Sequence, residues 1–196
     1  MVRSCLFILL SFCVFVQCQP NRSGKETVEI NNDSLQVQLT TITDSMQISW
    51  STLIESDNLK IQQIKDLLKN ISQSCKYDKA LYTQLLNKEE TLLSKRYTDP
   101  DSLTNDQIDF YDSATDSLLT DLTLFYEKTH ATTCCVSCDS LEKRIDSLTS
   151  EVATLRRKYD NYTEEYNALI IQQKEALSTI KSEYKNLKPR QLFSPM

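Results

Sequence analysis

Apolar residues recur along the last third of the chain at alternating spacings of four and three. The ladder is Leu141, Ile145, Leu148, Val152, Leu155, Tyr159, Tyr162, Tyr166 and Leu169. A helix returns to one face every three or four residues, so these positions form one stripe that needs a long partner surface. The pattern holds over four heptads, the signature of a coiled-coil seam. Asp139 with Glu142 suits a helix start, and Lys185, Lys188 and Arg190 suit the negative end of the helix dipole. A coiled-coil helix is therefore expected over 139–187.

A second ladder runs through Ile61, Ile64, Leu68, Ile71, Cys75, Tyr82, Leu85 and Leu92. Upstream, Leu35, Leu39, Ile42, Met46, Trp50 and Leu53 also keep helical spacing, and the two registers join through Asp57 with an extra four-residue step. This predicts a long helical segment over 33–97, with either a stutter or a break near 56–58. Leu35 to Ile42 also alternates like a strand, but helix is the better fit to the whole run. A third stripe, Ile108, Tyr111, Leu118, Leu122 and Phe125, predicts an antiparallel helix over 104–129, opened by Thr104 and Gln107 as a capping box.

Gly24 is the only glycine, and Pro20, Pro100, Pro189 and Pro195 are the only prolines. These strong breakers mark a flexible polar leader at 19–32, a turn at 98–103 and a disordered tail at 188–196. A cysteine-rich connection fills 130–138. The fold class expected is all-α: an elongated helical hairpin or three-helix bundle with a long C-terminal coiled-coil helix.

The first 18 residues read as a secretory signal peptide. Arg3 supplies the positive start, Cys5 to Val16 is apolar except for Ser11, and Val16 and Cys18 are small enough for a cleavage site. The alternative is an uncleaved membrane anchor, disfavoured because a bilayer span takes about 20 residues. A lipid on Cys18 is disfavoured by bulky Gln17, and no later segment is apolar enough for membrane insertion. The chain carries 22 basic against 27 acidic residues, and losing Arg3 makes it one unit more negative still. That balance argues against nucleic-acid binding. Four sequons, at Asn21, Asn32, Asn70 and Asn161, fit an exported glycoprotein; heptad counting puts Asn70 and Asn161 on outward helix faces.

Cleavage removes Cys5, Cys13 and Cys18 and leaves Cys75, Cys134, Cys135 and Cys138, an even number suited to disulfides. A helix folding back from the turn at Pro100 over about 37 Å brings its far end level with Ser72 and Gln73. Cys75 is the nearest thiol to that level, so it is expected to bond Cys134 or Cys135. The other two would pair within the cluster or with a second chain.

Cys135-Val136-Ser137-Cys138 at a helix start also raises a thiol-disulfide oxidoreductase, since that spacing and the helix terminus lower a thiol's pKa. No βαβ pattern surrounds it, so a structural disulfide is preferred. Four-cysteine zinc ligation lacks finger spacing. His130 is the sole histidine and reads as a solvated capping residue. The turn at Asp99–Asn105 lacks the central glycine and closing glutamate of a calcium loop. Arg156-Arg157-Lys158 reads as solvated surface. No catalytic residue, metal or cofactor is expected.

The leading reading is a secreted, non-enzymatic coiled-coil protein that self-assembles or binds a partner helix. Leu148, Val152, Leu155 and Tyr159 would carry a parallel homo-oligomer seam, with Glu151 facing the partner's Arg156. The alternative is a monomeric helical-bundle ligand or binding module with every seam internal.

Overall fold

The computed structural model describes residues 32–194. The expected signal peptide at 1–18, all but the last residue of the expected leader at 19–32, and the Asn21 sequon lie outside the described residues. Every regular element among those described is helical. The four long helices are α1 (Asn32–Ser74), α2 (Lys79–Ser94), α3 (Asn105–Lys128) and α5 (Cys138–Gln172). Shorter pieces are α4 (Ala131–Cys134), α6 (Lys174–Ile180) and 3-10 turns at Pro100–Ser102 and Ser182–Asn186. The all-α bundle with a long final helix is thus present, and the first long segment is divided to give one helix more.

That division falls at 75–78 and leaves 56–58 intact. Asp78 caps α2, its carboxylate accepting from the amides of Ala80 at 2.8 Å and Leu81 at 3.2 Å, so a new helix starts there. The stutter at Ser56-Asp57-Asn58 is absorbed within α1 because the polar side chain it turns inward finds buried partners, described below. Thr104 and Gln107 form the reciprocal capping box of α3.

α1 and α5 lie antiparallel along most of their lengths, about 65 and 52 Å from 43 and 35 residues. Ser56 donates to Glu151 at 2.6 Å and Asn70 to Ser137 at 3.1 Å, one constant register. α2 runs back along α1, where Lys65 pairs with Glu89 at 3.2 Å, and α3 returns along α2, where Lys88 meets Asp121 at 2.6 Å. The cysteine end is therefore an up-down-up-down four-helix bundle. Beyond Asp57 the body thins to α1 and α5, completed by α6 and the C-terminal segment.

Two expected boundaries are corrected. The helix expected over 139–187 gives way at Gln173, because the α1–α5 register puts Asn32, the first described residue of α1, about level with Glu175. That is the end of the described part of α1, and after α6 the chain turns back. The tail at 188–194 is not loose: Phe193 is buried, and the segment returns along α5 towards the middle of the molecule. Pro195 and Met196 lie outside the described residues.

Candidate functional site

Two regions concentrate the chemistry. The first is the cysteine end. Cys75 is bonded to Cys134 and Cys135 to Cys138, each with Cα atoms 5.4 Å apart. The first bond joins the end of α1 to the end of α3–α4 across 59 positions. The second closes a small ring that ends on the first residue of α5, and both of its cysteines are buried. All four cysteines among the described residues are in disulfides. Among the described residues, no group of three or more His, Cys, Asp and Glu side chains could hold a metal ion. His130 is exposed and its side chain makes no capping hydrogen bond; its backbone takes the left-handed conformation (φ 53°) that turns the chain from α3 into α4.

The second region is the waist, where four helices give way to two. Asp57 faces the core and is only 3% exposed. Its carboxylate pairs with Lys60 Nζ at 2.7 Å and Arg96 Nη2 at 3.5 Å and accepts a hydrogen bond from the Tyr111 hydroxyl. Beside it, Arg156 pairs with Asp112 at 2.6 Å and donates to the Tyr97 hydroxyl at 2.7 Å. Phe193 sits among the rings of Trp50, Tyr97 and Tyr159, with centroids 5.5–6.1 Å away, and the Arg156 guanidinium lies 4.8 Å from its centre. Charges buried here are paired, as the cost of burying an unpaired one requires.

Burial pushes the Tyr97 hydroxyl up to about 12, against the attraction of Arg156 and with help from the Asp57 charge. Burial raises Tyr111 and Tyr159 as well, and Asp57 adds to the rise at Tyr111 by its charge and its hydrogen bond. An unfolded tyrosine ionises near 10, so between about 10 and 12 the unfolded chain sheds protons that the folded chain retains. Stability is therefore expected to fall as pH rises through that window. Absorbance at 295 nm should show tyrosines whose ionisation coincides with loss of helical circular dichroism. Complete tyrosine titration near pH 10 in a still-helical protein would contradict the buried waist.

The expected seam residues are brought together, but against this chain's own α1. Ile145, Leu148, Val152, Tyr159, Tyr166 and Leu169 are buried, and Leu141, Leu155 and Tyr162 are half-buried. The pairing expected across a parallel dimer is also engaged internally, Glu151 with Ser56 and Arg156 with Asp112 and Tyr97. Arg156 accordingly leaves the solvated basic run; Arg157 and Lys158 remain exposed. Of the described sequons, Asn32 and Asn161 are exposed. Asn70 departs from the outward placement: it is half-buried, and its Nδ2, the atom a glycan would occupy, bonds Ser137.

Pattern reading missed Asp57, Asp160, Asn167 and Phe193 as structural determinants. Asp57 carried a signal, being the polar rung through which two apolar registers join. The others had none, because their partners are distant in the chain. No helix among the described residues is long and apolar enough to cross a membrane. No family model matches this chain, and neither a curated protein nor a solved structure is found to match it.

Proposed function

We propose that this chain is a secreted, non-enzymatic binding module that works as a single disulfide-locked helical bundle. The observation that carries the reading is the α1–α5 pairing: one chain covers its own long apolar stripe, so the seam needs no second copy. Among the exposed apolar side chains, Val37, Ile48 and Leu59 recur every eleven residues on one face of α1, about 16 Å apart, and so form no continuous heptad stripe. Secretion is supported by the signal-like first 18 residues and by two disulfides, which persist in oxidising compartments. Function then rests on a rigid exterior shaped by the bundle, with glycans expected at Asn32 and Asn161.

The test is the absolute mass of the secreted, deglycosylated protein by light scattering, with and without reductant. The mass of one chain under both conditions is expected. A dimer that persists in reductant would return the self-assembly reading to first place, and would require α1 to leave α5 or a different surface to associate.

A further inference from the structure

The C-terminal segment is gripped as a bound peptide is gripped, by its backbone and by one anchor side chain. Asn167 accepts from the amide of Arg190 at 2.8 Å and donates to its carbonyl at 2.9 Å. Asp160, only 6% exposed, accepts from the amides of Phe193 at 2.8 Å and Ser194 at 3.1 Å. Burial lifts this carboxyl above the usual aspartate range, and the two amides pull it partly back. Asn167 and Asp160 stand two helical turns apart on α5, about 10 Å. Arg190 and Phe193 are three residues apart, and an extended chain advances about 3.3 Å per residue, so the two spacings match. The Arg190 guanidinium reaches Asp101 at 2.7 Å and lies over the Tyr166 ring at 5.3 Å, while Phe193 fills the Trp50, Tyr97 and Tyr159 pocket.

Phe193 is the tail's contribution to that aromatic pocket, and the linker from α6 is mostly exposed over 181–189, with Tyr184 and Leu187 packed against the core. Release of the tail therefore breaks a small set of contacts and leaves the four-helix end untouched. At its other side Ser194 borders a groove of about 380 Å³ between α3 and α5, lined by Lys60, Asp112, Thr115, Asp116, Arg156 and Arg157.

We infer that the waist is a peptide-binding groove for an extended partner segment bearing arginine followed three residues later by phenylalanine. The chain's own tail is its resident intramolecular ligand, and a partner segment binds by displacing it. This deepens the reading of the chain as a binding module. Peptide titration is independent of the mass measurement that tests that reading, so the two can fail separately.

The experiment uses the full chain with Arg190→Ala and Phe193→Ala, which keep the tail but remove both of its anchors. The probe is a synthetic Lys-Pro-Arg-Gln-Leu-Phe-Ser peptide, the sequence of residues 188–194. Trp50 is the only tryptophan and its ring stacks on Phe193 at 6.1 Å, so its emission reports occupancy of the pocket directly. Saturable binding to the variant is expected. Wild type should bind at least ~10-fold more weakly, because a tethered tail competes at an effective concentration on the order of millimolar. A probe with alanine for phenylalanine should also bind at least ~10-fold more weakly. Absence of binding to a variant that retains its helical circular dichroism would overturn the inference. So would concentration-dependent wild-type dimers that the probe dissociates, since these would make a second copy's tail the occupant. If the double variant loses helicity, Phe193→Ala alone takes its place under the same criteria.

Discussion

Substituting alanine for Asp57 is expected to lower the free energy of unfolding by about 3–5 kcal/mol. The carboxylate is the common partner of Lys60, Arg96 and Tyr111, and the Lys60 side chain is only 3% exposed. Removing it leaves the Lys60 ammonium, whose side chain is 3% exposed, and the Arg96 guanidinium, whose side chain is 15% exposed, without that partner. Such a loss exceeds what deleting the pairs' attraction alone would cost, because the stranded charges keep their desolvation penalty. In a chain of this size the melting temperature should fall by on the order of 10 °C. Replacing both Asp57 by Leu and Lys60 by Met is expected to recover part of the loss, since well-packed apolar residues often substitute for a buried ion pair. Equilibrium denaturation of the three proteins decides the matter. A penalty below about 1 kcal/mol for Asp57→Ala would mean that solvent screens the charges left behind, as it does at a surface pair.

The two disulfides should differ in worth by roughly the difference in the loops they close. Cys75 and Cys134 are 59 positions apart, and on the chain-entropy account that bond contributes about 4 kcal/mol. Cys135 and Cys138 are three apart, and the same account assigns them about 2 kcal/mol. Guanidinium unfolding of the Cys75→Ser/Cys134→Ser and Cys135→Ser/Cys138→Ser proteins measures both. The first should show the larger drop in midpoint. If the two losses prove equal, the long bond acts mainly through native-state packing at the end of α1 and the entropic account fails here.

Much of this arrangement is legible along the chain. The spacing of Leu141 to Leu169 marks a helix with one continuous apolar face, and helix rise alone brings Cys75 level with the cysteine cluster, where the structure also puts it. Thr104 with Gln107 marks the start of α3 because a cap is a contact between near neighbours. The break at 75–78 was harder to see, since Cys75 and Tyr82 continue an apolar ladder across it and only Asp78 signals a new start. The tail was illegible. Pro189 and Pro195 read as helix breakers, and nothing near them in the chain reveals that Asn167 and Asp160 hold the segment between.

The sequence by itself determined the helical class, the main apolar stripes and the level at which the cysteines meet. These follow from interactions within a few residues and from the fixed rise of an α-helix. Tertiary structure alone decided what covers the α5 seam, which partners neutralise Asp57 and what fills the aromatic pocket at the waist. An apolar stripe attracts any complementary stripe, because hydrophobic burial has no direction and does not distinguish α1 of the same chain from a second copy. Only the lengths and connections of the folded helices bring α1 there first.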